Sequence, residues 1–152
     1  MLYRYYSSGL CDMRVILFRG KRKNGTEWVY GNYCGAEYLS SSGIEHLIIE
    51  IPRNGCSAQV DPETVGQYTG LTDKNGKKIF TKDILAITAF GDDHHQKGVK
   101  TIAVVEDYMG NTCLCIDGKH QTGTTLYDII IAHTVEVIGD ATDNPELLKG
   151  GG

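Results

Sequence analysis

The chain has little proline, no long apolar run and no excess of positive charge. Three of its 152 residues are prolines, against nineteen glycines. No stretch reaches the eighteen apolar residues of a membrane-spanning helix. The first twelve residues also lack the apolar segment of a secretion signal. We therefore expect a cytoplasmic protein that makes no use of a membrane.

Charge and cysteine usage exclude two further classes. A formal net charge of −4 gives no general attraction to polyanions, so nucleic-acid binding would need a local basic patch. The five cysteines are odd in number and contain no Cys-x-x-Cys spacing. This pattern does not describe a secreted disulfide framework, and it favours reduced thiols.

The composition favours a mainly β domain. Nine tyrosines accompany abundant isoleucine, valine and threonine, which are enriched in strands. A chain of 152 residues suits one domain that buries roughly two-thirds of its unfolded surface. We predict a single domain over residues 13–149, with N-terminal strands at 13–60, further strands at 61–140 and a short helix at 143–149. Residues 1–12 show no periodicity and are predicted to be a disordered extension.

Apolar runs between turn signals predict the strands. They lie at residues 14–19, 26–31, 44–51, 64–69, 84–90, 100–107, 112–117 and 134–139. Residues 124–132 fit either a strand or a short helix, and residues 118–124 read as a loop. Asn24-Gly25 predicts a type I′ hairpin turn, and Asn75-Gly76 predicts a second reversal. Asn144 followed by Pro145 predicts the cap and first position of the C-terminal helix.

Metal ligation has one local candidate. Asp92, Asp93, His94 and His95 could supply oxygen and nitrogen ligands to a divalent ion. Adjacent residues of an extended chain point in opposite directions, however, so a solvated loop is the stronger interpretation. Cys113 and Cys115 share one strand face, where core-filling thiols are favoured over a metal role.

Catalysis has no convincing constellation in the sequence. Asp61, Glu63, Asp73 and Asp83 are close enough along the chain to suggest paired carboxylates. Turn and cap chemistry explains Asp61 and Asp73 without catalysis. No serine has a nucleophile-elbow context, and no cysteine has a local histidine partner. We predict that the protein is not an enzyme and needs no cofactor.

Two basic segments offer an alternative, a nucleic-acid interface on a small barrel. If both turns lay on one side of the barrel, their cations would flank Trp28 and Tyr68, and bases could stack there. Solvated hairpin tips are the simpler interpretation. The residues of this alternative are Arg19, Lys21, Arg22, Lys23, Lys77 and Lys78.

Three segments together resemble one family. The first is residues 13–22 (MRVILFRGKR) with 27–31 (EWVYG), and the second is residues 61–71 (DPETVGQYTGL) with 73–77 (DKNGK). The third is residues 135–139 (VEVIG) with 144–148 (NPELL). In order and spacing these segments resemble the YopX family, whose members usually have glycine where this chain has Lys82.

The resemblance implies a mainly β fold with an N-terminal hairpin, a partly open SH3-like barrel and a short C-terminal helix. It also implies a small phage- or prophage-encoded protein of the bacterial cytoplasm, and it carries over no catalytic residues. We expect a non-enzymatic accessory protein that contacts a host or phage protein or a second copy of itself. Nucleic-acid binding is the alternative, and a metal-dependent enzyme at residues 92–95 is the remote one.

Overall fold

The computed structural model describes residues 15–37, 44–50, 56–89 and 100–149. The predictions for residues 1–12 and for Asp92, Asp93, His94 and His95 lie outside these ranges. The strands are β1 Phe18–Lys21, β2 Trp28–Glu37, β3 Ile44–Glu50, β4 Ser57–Gln59, β5 Gly66–Thr72, β6 Lys78–Phe80, β7 Asp83–Ala89, β8 Lys100–Tyr108, β9 Asn111–Ile116, β10 Lys119–Gln121 and β11 His133–Asp140.

These strands form two antiparallel sheets. The first has the order β4-β3-β2-β1-β5-β6, and the second has the order β10-β9-β8-β7-β11. The chain crosses between them at Thr81 and Lys82, between the last strand of the first sheet and β7. The predicted mainly β class is confirmed, and the two sheets remain partly open rather than closing into one barrel.

Each sheet contributes its own apolar cluster. In the first sheet Val29, Ile48 and Val60 are almost completely buried, and Phe18 and Tyr33 pack against them. The second cluster is larger because β7, β8, β9 and β11 all contribute to it, together with Ile79 of β6 and Leu126 of helix α1, Leu126–Ala132. Its buried members are Ile79, Leu85, Ile87, Ala103, Val105, Leu114, Leu126, Val135 and Val137.

Of the two turns predicted from Asn-Gly pairs, the structure confirms one reversal and contradicts the turn type of the other. The β1–β2 hairpin forms, with Lys21 opposite Trp28, but neither Asn24 nor Gly25 has positive φ. The type I′ prediction is therefore wrong, because the loop is longer and Gly25 N–H donates to the Arg22 carbonyl. Asn75-Gly76 does reverse the chain, with Gly76 at a φ of 78°.

Two-residue turns connect the outer strands of the second sheet. Asp117 and Gly118 have φ values of 48° and 73°, and Met109 and Gly110 have values of 51° and 81°. Positive φ at both central residues is typical of a type I′ turn. The first of these turns creates β10 inside the segment predicted to be a loop.

The segment that fits either a strand or a helix, and the predicted C-terminal helix, are both short helices. α1 begins with a capping box in which Thr125 and Asp128 bond each other's backbone N–H groups. A 3-10 helix, Pro145–Leu148, stands where a short helix is predicted. Asn144 does not cap it through its side chain and instead accepts from Asp140 N–H at 3.3 Å. Within the described ranges, no helix has the length and apolar character needed to cross a membrane.

Candidate functional site

A buried ion pair joins the two sheets near the crossing point. Arg19 on β1 places Nη2 2.6 Å from Oδ1 of Asp83, the first residue of β7. Both side chains are almost inaccessible, and the guanidinium lies between the rings of Trp28 and Phe80 at 4.7 and 5.0 Å. The carboxylate accepts a further bond from Phe80 N–H. This arrangement compensates two buried charges.

The geometry of this pair affects its electrostatics. Nη2 and Oδ1 are close, but neither atom forms an aligned hydrogen bond with the described residues. Burial raises the pKa of Asp83, although Arg19 and the Phe80 N–H act in the opposite direction. The pair is therefore a charge contact with a large desolvation cost.

Asp73 has the opposite electrostatic balance. Burial favours its neutral form, but Oδ2 accepts from Val137 N–H while Oδ1 accepts from Asn75 and Lys77 N–H groups. Together these three bonds lower its pKa. Asp73 thus closes its own turn and attaches that turn to β11, which agrees with the structural role predicted for it.

Lys82 stands in a backbone conformation that glycine usually occupies. Its φ is 71°, in the left-handed region. Its N–H donates to the Val105 carbonyl and its carbonyl accepts from Ala141, so both backbone groups bond the second sheet. The side chain also donates to the Glu63 carbonyl. The chain departs here from the family's usual glycine, and the surrounding bonds hold Lys82 in the left-handed conformation.

The C-terminal segment attaches back to the first hairpin. Asp143 accepts from Trp28 Nε1 at 3.1 Å and forms an ion pair with Lys21. The bond from Lys21 has the largest effect and lowers the pKa of Asp143. Burial acts in the opposite direction, and the weaker effect of the bond from Trp28 adds to the lowering. Asp61, another member of the carboxylate group, caps the 3-10 helix Pro62–Thr64 through Glu63 N–H, as predicted.

The two basic turns lie at opposite ends of the first sheet. Arg19 is paired with Gly66 at the start of β5, whereas Lys78 is paired with Thr72 at its end. Seven strand residues separate these ends by about 20 Å. The side chains of the two turns therefore do not converge on one patch.

Acidic residues neutralise much of the first basic segment. Arg22 contacts Glu27 at 2.9 Å and Glu50 at 2.5 Å, and Lys21 pairs with Asp143. Arg19 is inaccessible, as described above. Of the six proposed nucleic-acid residues, Lys23, Lys77 and Lys78 remain exposed, and Lys78 lies over the Tyr68 ring at 5.8 Å.

A different set of donor atoms converges on β8, β9 and β10, three adjacent strands of the second sheet. Glu106 on β8, Cys115 on β9 and His120 on β10 place an oxygen, a sulfur and a nitrogen within 4.8 Å of one another. His120 Nε2 lies 2.7 Å from Glu106 Oε2. The Tyr108 ring stacks on the imidazole with centroids 4.1 Å apart and planes inclined by 14°. We call these three residues the Glu-Cys-His cluster.

Strand register explains why the cluster forms. His120 is directly opposite Cys115, and Glu106 is opposite Cys113, two residues along the same face of β9. Opposite and diagonal neighbours on one face are close enough for their side chains to touch. Glu106 and Cys115 also line a cleft of about 710 Å³ that reaches Lys100 and Leu148.

The thiol of Cys115 is not activated in this arrangement. Burial raises its pKa, and the charge and hydrogen bonding of Glu106 raise it further. A reactive cysteine needs the reverse, a lowered pKa beside positive charge. Cys113 is buried and its pKa is also raised, first by burial, which fits the predicted role of a core-filling thiol.

An exposed apolar pair marks the outer side of α1. Tyr127 is 58% exposed and Ile131 is 65% exposed. They lie four residues apart and hence on one helix face. Leu126 is buried on the inner side, and Ile129 and Ile130 pack against the second core. The helix is therefore anchored, while its outer face has no partner within the described chain.

Comparison with known proteins agrees with this architecture. The crystal structure of protein EF1440 from Enterococcus faecalis is similar to the chain with a TM-score of 0.53 and 24% identity, over 88% of this chain and 98% of that one. At that identity the likeness bears on the fold alone. No curated protein is significantly similar to the chain. The sequence profile described as YopX protein matches residues 17–149. Because this match covers most of the sequence, the protein belongs to the YopX family.

Proposed function

We propose that this protein is a non-enzymatic phage or prophage accessory protein that binds another protein in the bacterial cytoplasm. The phage setting rests on the family resemblance. Binding rests on the outer face of α1, where Tyr127 and Ile131 are more than half exposed on one side of an anchored helix. Apolar side chains grouped on a surface are typical of interaction sites.

The energetics of this face suit association. Full burial of a large apolar side chain contributes about 1.5–3 kcal/mol relative to exposure. A partner that covers both Tyr127 and Ile131 would gain much of this burial free energy from each of the two side chains. Because α1 is fixed by its capping box and its buried Leu126, little helix ordering opposes binding.

The nucleic-acid alternative has weaker support. Its two basic turns are separated by the length of β5, and the Arg22 guanidinium is engaged by two carboxylates. A polyanion would have to displace Glu27 and Glu50 from Arg22. The described surface therefore favours a protein partner.

The test is affinity capture from host lysate with two double variants. The first, Tyr127→Ser with Ile131→Ser, removes the apolar pair on α1. The matched control, Val15→Ser with Ile16→Ser, removes two equally exposed apolar residues before β1, at 61% and 62% exposure. Each capture is run with and without nuclease, and light scattering measures the size of the purified protein.

We expect wild type and control to retain the same protein, independently of nuclease, and the α1 variant to lose it. Mass doubling of wild type that disappears in the α1 variant would identify a second copy as the partner. Retention that depends on nucleic acid would instead support the alternative. A strict monomer that retains nothing, or equal retention by all three proteins, would overturn the proposal.

A further inference from the structure

We propose that Glu106, Cys115 and His120 form a zinc-binding site. The proposal does not depend on the protein-binding role of α1, because it concerns the outer strands of the second sheet. It rests on the convergence of three ligand atoms beside an accessible cleft.

The distances fit a zinc ion after a small adjustment. Zinc binds sulfur at about 2.3 Å, imidazole nitrogen at about 2.0–2.1 Å and carboxylate oxygen at about 2.0–2.2 Å. In tetrahedral geometry these lengths put the ligand atoms roughly 3.3–3.6 Å apart. His120 Nε2 and Glu106 Oε2, now at 2.7 Å, would separate by roughly 0.6 Å. The three atoms, all within 4.8 Å, would then surround the ion.

The ligand types select the metal. Calcium and magnesium prefer oxygen ligands and gain little from a thiolate or an imidazole. A mixed set of sulfur, nitrogen and oxygen suits zinc, which accepts all three. The set comes from three adjacent strands held by backbone hydrogen bonds, so the ligands are supported by a rigid framework.

Bound zinc would resolve an electrostatic conflict at the cluster. Without a cation, a Cys115 thiolate and the Glu106 carboxylate would be two negative charges within 4.8 Å of each other. A divalent cation between them reverses this effect, because it stabilises the carboxylate and the thiolate together. The same carboxylate argues against a cysteine nucleophile, which would need positive charge nearby.

The cleft supplies access to the ion. Three protein ligands leave one position of tetrahedral zinc open, as in sites where the metal binds water or an exogenous ligand. Glu106 and Cys115 both line the cleft of about 710 Å³. Water or a small anionic group could therefore complete the coordination sphere from this side.

Zinc affinity of the full chain can be measured by competition with a chromogenic chelator. We expect one zinc per chain, and affinity at least tenfold weaker in Cys115→Ser and in His120→Gln, since even indirect supports of metal ligands typically contribute that much. Cobalt provides an independent signature. Thiolate-to-cobalt charge-transfer absorption should appear in wild type and be absent from Cys115→Ser.

Two controls locate the ion. His94→Gln with His95→Gln tests two adjacent histidines outside the cluster, and Cys34→Ser tests an exposed thiol outside it. Both should retain wild-type affinity, and thermal unfolding of the metal-free variants confirms that each is folded. Absence of zinc binding at micromolar concentration would overturn the proposal. So would binding that survives Cys115→Ser and His120→Gln but is lost in the double-histidine control.

Discussion

Two polar regions of this protein look alike in composition and differ in what their side chains do. Residues 61–85 contain many charged groups, and those of Asp61, Asp73, Lys82 and Asp83 bond backbone atoms or a buried partner. Strands β8 to β10 contain fewer charged groups, but Glu106 and His120 converge with Cys115 beside a cleft.

The difference concerns the partners of the polar atoms. A side chain that satisfies backbone N–H groups or a buried charge is part of the architecture, and removing it lowers stability. Ligand atoms that converge beside an open cleft can bind an ion or a small molecule from solution. We therefore expect mutations to lower stability in the first region and to change binding in the second.

The largest effect is expected at Asp83. Replacing Asp83 with alanine would leave the Arg19 charge buried without its partner, and we expect the free energy of unfolding to fall by about 3–5 kcal/mol. Urea denaturation measures this change. Asp128→Ala, which removes an exposed carboxylate from the capping box of α1, should lower the free energy of unfolding by much less. Equal losses in the two variants would contradict the structural role of the pair.

A smaller and pH-dependent effect is expected at Asp73. Asp73→Asn keeps the shape but replaces one carboxylate oxygen with an NH₂ group, so a backbone donor loses its acceptor at a cost of about 2–3 kcal/mol. Since the folded pKa of Asp73 is lowered, its stabilisation is present above the ordinary value of 3.8. It is lost as the pH falls through the lower folded pKa.

Denaturation at a series of pH values checks the dependence on Asp73. The difference between wild type and Asp73→Asn should be constant near neutrality and should shrink below a pH of about 4. A difference that stays unchanged in acid would mean that the ionised carboxylate is not what the three N–H groups stabilise.

Lys82 offers a modest gain in stability. Glycine would relieve left-handed strain of about 1–2 kcal/mol but would lose roughly 0.5–1 kcal/mol through unfolded-state entropy. We expect Lys82→Gly to stabilise the protein by at most about 0.5–1 kcal/mol, because it also loses the bond to the Glu63 carbonyl. Lys82→Ala loses the same bond but keeps the strain, so it should not stabilise the protein. Matching midpoints of thermal unfolding for the two variants would show that strain at this corner is negligible.

The smallest effect on stability is expected at His120. Its contact with Glu106 is partly exposed, so His120→Gln should change the metal-free free energy of unfolding by less than about 1 kcal/mol. The same variant should lose zinc affinity. A loss of more than about 2 kcal/mol without metal would mean that this cluster, like the first region, is architectural.

Much of the fold follows from local patterns. The apolar runs place most of the strands, and Asp73 in an Asp-x-Asn-Gly sequence is typical of a self-bonded turn. The Arg19–Asp83 pair is different, since its partners are 64 positions apart and meet only when two sheets pack. No local pattern identifies Arg19 as buried. The sequence therefore predicts it among the surface cations, whereas the structure buries it.

Part of the Glu-Cys-His cluster is predictable from the sequence. Asp117-Gly118 is a strong hairpin signal, and a two-residue turn there sets His120 opposite Cys115. Glu106 is harder to place, because its register depends on a turn at Met109, and methionine rarely adopts positive φ. A histidine and a cysteine are therefore predictable as neighbours, whereas the third ligand is not.

The bond between Lys21 and Asp143 also bears on how the protein is made. These residues are separated by 122 positions, so the first hairpin can emerge from the ribosome long before its C-terminal partner is synthesised. Until then Trp28 lacks the bond from its indole to Asp143. Nascent chains halted before residue 143 should therefore expose this hairpin to proteases or chaperones. Once the C-terminal segment has been synthesised, this exposure should end.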